Sequence, residues 1–272
     1  MTSAPADAVF TEFPAPGVRR IRLNRPERLN AMNTDLVGGI HRELDAAGAD
    51  HECRVVVLTG AGRGFCAGAD LMGYGEVPGA GDIGPINYTF AIQKQIATLI
   101  SHMRSIPQPV IAAVNGPAAG GGLALVLGSD VRIAARSARF NVAFIRAGYS
   151  ACDIGTSWLL PRIVGVARAQ ELMLTGRIFD VDEAHRIGLV VSVHDDDSLQ
   201  DAALAKADEI MLNGPWQVAL TKEGMWTALE IPGMQAAIDL ENRQQVMVSL
   251  TKDARESRMA FLEKRHPNYT QH

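Results

Sequence analysis

PVIAAVNGPAAGGGLALVLGSD, residues Pro109 to Asp130, is the segment from which the architecture of this chain can be read. Its apolar, partly β-branched run Val110 to Val114 predicts a buried strand. Asn115-Gly116-Pro117 turns the chain, and Gly120-Gly121-Gly122 opens an apolar helix over Leu123 to Leu127. Glycines at such a junction leave the backbone N–H groups bare. These orphan donors stand at the positive end of the helix dipole and favour an oxygen that carries or develops negative charge. The same glycines also suit a tight turn required only for packing, and this segment alone leaves both readings open.

Toward the N-terminus, Tyr88 to Met103 predicts a helix, and Gly73 to Pro85, rich in glycine and proline, a surface loop able to act as a lid. Before it, Arg54 to Thr59 predicts a buried strand running into GAGRGFCAGADL, Gly60 to Leu71, a second glycine-rich loop. Asn33 caps a helix over Thr34 to Ala49 with Leu36, Ile40 and Leu44 on one face, and Val18 to Leu23 forms a strand. Toward the C-terminus, short strands are expected at Val131 to Ala135, Ala138 to Val142 and Leu189 to Val193, and Asp130 caps or braces the fold. Most of the remainder is helix, ending in Pro215 to Leu229, Met234 to Leu250 and Asp253 to Arg265. The apolar faces there (Ala237, Leu240, Val246, Leu250) need cover, which a partner subunit can supply.

With 272 residues the chain can build one large core. A net charge of −4 without a basic block argues against nucleic-acid binding. Three cysteines (Cys53, Cys66, Cys152) without metal-ligand spacing argue against a disulfide framework or a zinc site and fit the cytoplasm. No run is long and apolar enough to span a bilayer, and MTSAPADAVF lacks the regions of a signal peptide. The two strand-to-glycine loops, if they converge, offer two donors to one oxygen. Each such donor is worth roughly 2.7–4 kcal/mol of transition-state stabilisation.

The segments RPERLNAM (Arg25 to Met32), VVVLTGAGRGFCAGADL (Val55 to Leu71), PVIAAVNGPAAGGGLAL (Pro109 to Leu125), LTGRIFDVDEAHRIGLV (Leu174 to Val190) and FLEKRHPNY (Phe261 to Tyr269) follow in an order and spacing that resembles the crotonase, or enoyl-CoA hydratase/isomerase, superfamily. The resemblance covers nearly the whole chain. It implies an α/β fold: a repeated ββα spiral core, residues 1–200, followed by a helical trimerisation region, residues 201–272. It also implies an acyl-CoA thioester as ligand, with coenzyme A carried as part of the substrate and no separate cofactor, and a homo-oligomer, either a trimer or a dimer of trimers. By position, the oxyanion-hole amides fall on Ala69 and Gly121. Coenzyme A contacts fall on Arg28, Leu29, Ala31, Ala67 and Asp70, and Phe261 and Lys264 match positions that reach coenzyme A from a neighbouring subunit. For Arg28 and Lys264 an ordinary solvated charge is the alternative.

The chain departs from the hydratases of that family at both proton-handling glutamates, whose places fall on Ala124 and Phe144. Removal of a positioned acid or base costs typically 10²–10⁴-fold. The loop that follows offers Asp153, in a setting similar to the Asp-Val-Gly segment of the dienoyl-CoA isomerase and 3-hydroxyisobutyryl-CoA hydrolase branches, although it is one residue longer and their partner glutamate is missing. A wall of Trp158 and Phe144 would raise the pKa of its carboxyl. The alternative role for Asp153 is an N-cap for the helical segment that follows. Cys66 is better read as a small buried residue than as a nucleophile. Tyr149, Cys152 and Trp158 are candidates for an acyl pocket, Glu76 and Asp82 for a covering loop, and His102 and His185 for core or surface roles. Two functions follow: an enoyl-CoA hydratase or isomerase using Asp153 or a bound water, or a non-catalytic acyl-CoA binder.

Overall fold

The structure, a computed structural model, describes residues 7–81 and 83–270. Strand β1 (Val9–Ala15) pairs antiparallel with β2 (Val18–Leu23), and helix α1 (Thr34–Ala49) follows. Asn33 starts that helix, its side-chain oxygen accepting from Leu36 N–H at 3.0 Å. Then come β3 (Val55–Gly60), α2 (Pro85–Ser105), β4 (Val110–Val114), β5 (Ala118–Ala119), α3 (Gly121–Gly128), β6 (Val131–Ala135) and β7 (Arg139–Asn141). The chain continues through α4 (Thr156–Val164), α5 (Val166–Thr175), β8 (Phe179–Asp180), α6 (Val181–Arg186) and β9 (Ser192–His194). Helices α7 (Leu199–Met211), α8 (Pro215–Ala228), α9 (Met234–Ser249) and α10 (Lys252–Glu263) complete it.

The repeated unit is visible in the sheet topology. The large sheet runs β1-β2-β3-β4-β6-β9, parallel from β2 onward, and a small sheet runs β5-β7-β8. In the turns begun by β4 and by β6, the first strand joins the large sheet, the second joins the small one, and a helix closes the turn. The turn begun by β3 has only isolated bridges in place of a second strand: Cys66 with Ala118 and Ala69 with Met32. Both faces of the large sheet are covered, as parallel strands require. Val56, Leu58, Ala112 and Val114 pack with Leu36, Ile40, Leu99 and Leu123, while Val55, Val57, Ile111 and Ile133 pack with Leu199, Ala203 and Ala207. Helix α7, which straddles position 200, therefore belongs to the packing of the sheet.

Helix α8 is fastened to the core through one buried cation. Lys222 Nζ reaches Asp130 Oδ2 at 3.0 Å and donates to the carbonyls of Met103 at 2.7 Å and Gln108 at 2.8 Å. Asp130 also accepts from Val110 N–H and Trp226 Nε1–H, so it braces the fold as expected. On α9 and beyond, Val246 and Leu250 are exposed in the single chain.

The two-residue strands β5 and β8 were not anticipated, and three longer elements also differ from the sequence reading. Strand β1 was not anticipated: it is an edge strand with a mixed pattern and Pro14 near its end. Helix α2 begins at Pro85 rather than Tyr88, because proline suits the first helical position. Strand β9 is displaced to Ser192–His194, since Leu189 and Val190 are buried in the turn after α6. Among the described residues no helix is long and apolar enough to cross a membrane.

Candidate active site at two glycine-rich loops

The two loops are joined through main chain. Cys66 N–H donates to Pro117 O at 3.1 Å, and Ala119 N–H to Cys66 O at 2.9 Å. On the opposite edge, Met32 N–H donates to Gly68 O at 2.7 Å and Asp70 N–H to Met32 O at 2.9 Å. Those bonds use the polar groups of residues 68 and 70, so in extended chain the Ala69 N–H faces away from Met32. Near that side lies the start of α3: a Cβ on Gly68 would stand 2.8 Å from Ala119 O and 3.4 Å from Gly121 N. Gly121 is the first residue of α3, and its N–H has no acceptor within the helix. The first helical bond here is Ala124 N–H to Gly120 O at 3.0 Å, and Gly120 N–H is taken by Asn141 O. Gly122 has to be glycine for a steric reason, since a Cβ there would lie 2.0 Å from Cys66 O.

The positions expected to meet coenzyme A form a neighbouring edge. Ala67 N–H donates to Leu29 O at 3.0 Å, and Ala31 is buried beside Met32. Buried Asn30, at φ +56°, accepts from Arg25 N–H and donates to the carbonyls of Ala61 and Gly64. Asp70 pairs with Arg25 at 2.9 Å. Burial alone would raise the Asp70 carboxyl, but the Arg25 bond and the Met72 N–H outweigh it and hold its pKa below the ordinary value. Arg28 is exposed on the outside of this loop. Among the described residues, Phe261 and Lys264 form no hydrogen bond to this edge. Phe261 is 84 % exposed on α10, and Lys264 ends that helix at φ +53°.

Asp153 is distinguished from two other aspartates of this region by its partners. Asp70 gives one oxygen to Arg25 and the other to Met72 N–H. Asp130 gives its oxygens to Lys222, Val110 N–H and Trp226. Asp153 is half-buried and accepts at Oδ1 from Ile154 N–H, at 2.8 Å, and from Gln93 Nε2, while Oδ2 takes no hydrogen bond from any described residue. Its carboxylate does not cap α4: Gly155 occupies that place without a side-chain bond. The adjoining Ile154 holds φ +46°, an uncommon conformation for a β-branched residue. Its Cδ1 lies 3.4 Å from the place of a Cβ on Gly121, which puts the Asp153 loop against the start of α3.

The remaining candidates separate clearly. Ala124 is buried in α3, and Phe144 packs beside Gly120. Burial pushes the Cys66 thiol up to about 12, so it is a protonated core residue at neutral pH. Trp158 has the guanidinium groups of Arg104 and Arg162 against its ring and lines a cavity of about 850 Å³ against α8, together with Trp226 and Met225. Tyr149, Cys152 and Glu76 are exposed, and Asp82 lies outside the described residues. His102 bonds to His41 at 2.8 Å and pairs with Asp45, while His185 lies in α6. Sequence reasoning missed Met32 and Ile154 beside Gly121, Arg25 behind Asp70, and Gln93. Arg25, Met32 and Ile154 lay in segments already singled out, whereas Gln93 did not.

A spiral of ββα turns with two glycine-rich loops joined at one edge defines a crotonase fold, and comparison with known proteins agrees. Residues 15–272 match the family model described as enoyl-CoA hydratase/isomerase. The chain is 41 % identical over 263 residues to "Probable enoyl-CoA hydratase EchA12" of Mycobacterium tuberculosis, covering 96 % of this chain and 92 % of that protein. It is 39 % identical over 256 residues to the 1,2-epoxyphenylacetyl-CoA isomerase of Escherichia coli, covering 93 % and 95 %. A crystal structure of a probable enoyl-CoA hydratase/isomerase from Mycobacterium abscessus superposes with a TM-score of 0.91 at 37 % identity, covering 97 % of this chain and 99 % of that one. The chain belongs to the enoyl-CoA hydratase/isomerase family.

Proposed function

We propose that the protein isomerises the double bond of an enoyl-CoA, with Asp153 as the group that moves the proton. The observation that carries this reading is Asp153 Oδ2, a carboxylate oxygen that takes no hydrogen bond from any described residue, on a loop that touches the start of α3. In the reaction, Oδ2 takes a proton from the carbon α to the thioester carbonyl of a β,γ-unsaturated acyl group. The electron pair spreads into a dienolate whose oxygen is held by the N–H groups of Ala69 and Gly121. The same carboxyl returns the proton at the γ carbon, so no atom enters or leaves. Hydration asks for more, a group to activate water and another to deliver a proton. Ala124 and Phe144, where the hydratases of the family carry glutamates, supply neither.

Coenzyme A is read as lying along the edge made by Arg28, Leu29, Ala31, Ala67 and Asp70. Phe261 and Lys264 would come from a second copy of the chain. The exposed Val246, Leu250 and Phe261 support such an assembly, because apolar side chains of that size gain by cover. Ala124 and Phe144 also favour a second reading, an acyl-CoA binder without chemistry. Both are tested by incubating the purified protein with a 3-enoyl-CoA and following growth of the conjugated-enoyl absorbance, beside Asp153→Asn. Conversion that falls at least 10²-fold in the variant supports the isomerase. Saturable acyl-CoA binding with neither conversion nor deuterium uptake from heavy water selects the binder.

A further inference from the structure

We infer that Gln93, on α2, is the positioning residue for Asp153. The inference rests on the reading of Asp153 as the proton-transfer group. The two residues are distant in sequence, and Gln93 Nε2 nevertheless bonds Asp153 Oδ1. The orientation of that amide follows from chemistry, since a carboxylate only accepts and the Gln93 oxygen would repel it. Local structure alone does not aim the Asp153 side chain. Its one other donor is Ile154 N–H, the next residue in the chain. Ile154 and Gly155 then take two successive left-handed conformations, at φ +46° and +75°, which turn the chain into α4. A tether from another element fixes the direction of the carboxylate, and Gln93 supplies it.

The choice of an amide has a chemical consequence. Arg25 holds Asp70 with a full charge and keeps that carboxyl ionised below its ordinary range. A neutral donor on Asp153 fixes one oxygen and leaves the other able to take up a proton and release it within a turnover. Gln93 thus orders the carboxylate through a neutral donor.

The test is a set of variants, Gln93→Leu, Gln93→Glu, Asp153→Asn and Gln93→Leu/Asp153→Asn, assayed for 3-enoyl-CoA isomerisation across pH. Gln93 is exposed, so the variants are expected to fold, which circular dichroism and Tm verify. For Gln93→Leu, kcat falls about tenfold while KM stays within about twofold, because the carboxylate is no longer aimed in the transition state. In Gln93→Glu the protonated acid still donates, so activity survives at low pH and drops where both carboxyls ionise. The leucine substitution has no further effect in the Asp153→Asn background. If Gln93→Leu keeps the kcat of the parent while Asp153→Asn is inactive, Gln93 does not position the carboxylate, and the Asp153 reading stands. An unchanged kcat in Asp153→Asn overturns both.

Discussion

Replacing Gly68 by alanine tests the two-amide reading without touching either amide. Gly68 holds φ +92°, and the added Cβ would stand 2.8 Å from Ala119 O and 3.4 Å from Gly121 N. A carbon and a carbonyl oxygen rest about 3.3 Å apart even in close Cα–H···O contacts, so the loop bearing Ala69 must retreat from the start of α3 by roughly 0.5 Å. A donor at about 2.9 Å from the shared oxygen then moves to about 3.4 Å, past the useful range of an N–H···O bond. Loss of one oxyanion donor costs about 10²–10³-fold in kcat, and partial retreat places the expected loss near 10²-fold. The conformational penalty for alanine at positive φ adds roughly 1–2 kcal/mol of instability.

That penalty needs its own control. Gly188 has nearly the same conformation, φ +79°, and a Cβ there meets nothing closer than Ile163 O at 3.9 Å. Gly188→Ala therefore loses stability by a similar amount and keeps its activity. The assay is kcat and KM for 3-enoyl-CoA isomerisation beside urea unfolding of both variants. KM in Gly68→Ala changes little, because the ground-state carbonyl gains less from the donors than the dienolate does. A Gly68→Ala protein that folds and retains the kcat of the parent would refute the placement of the oxyanion at Ala69 and Gly121.

Three further outcomes follow from the packing. Lys222→Met leaves the Asp130 carboxylate and the carbonyls of Met103 and Gln108 without their buried cation, and urea unfolding should show a loss of about 3–5 kcal/mol; a loss below about 1 kcal/mol would contradict the brace. The half-buried rings of His41 and His102 bond each other, with Gln95 O on the outer nitrogen of His41 and Asp45 on that of His102. Burial, aided by His41 and only partly opposed by Asp45, holds the His102 pKa below its ordinary 6.5; stability is therefore full above that pH and lost as pH falls toward the folded value. Tm should drop between pH 7.5 and pH 5, by less in His102→Gln, and an equal drop in both would remove the pair as the cause. Arg25→Met frees Asp70 and the Ala31 carbonyl, and it should raise KM for the acyl-CoA several-fold with little change in kcat; an unchanged KM would place coenzyme A elsewhere.

How much of this was legible in sequence depended on the range of each interaction. Helix α1 was readable because its cap, Asn33, and its buried stripe of Leu36, Ile40 and Leu44 are local signals. Strands β3 and β4 were readable because burial on both faces makes them continuous apolar runs. The glycine run at the start of α3 announced exposed donors, but the neighbour that makes Gly122 obligatory is Cys66 O, far away in the chain. The tie between Gln93 and Asp153 crosses from α2 to a loop 60 residues later, and nothing in the helical pattern around Gln93 marks it. Trp158 looked like a wall for Asp153 by proximity in sequence. Its place at the head of α4 instead turns it toward Arg104, Arg162 and the cavity beneath α8.

The spiral itself explains why two amides from separate turns can serve one oxygen. Each turn ends a strand near the start of a helix, and the turns stack so that Cys66 and Ala118 pair as neighbouring strands do. Neighbouring strands lie about 4.8 Å apart. Two N–H donors held at that separation, each about 2.9 Å from a common acceptor, subtend roughly 110° at it, close to the divergence of the lone pairs on a carbonyl oxygen. An oxygen gaining negative charge would be served better by such a geometry than by one donor, and backbone amides can supply it without any side chain that could titrate. Fixed dipoles of this kind can stabilise an enolate but cannot take its proton. The fold therefore leaves proton transfer to whichever side chain the adjoining loops present, and on the proposed reading that side chain is Asp153, with Gln93 of α2 bonded to its Oδ1.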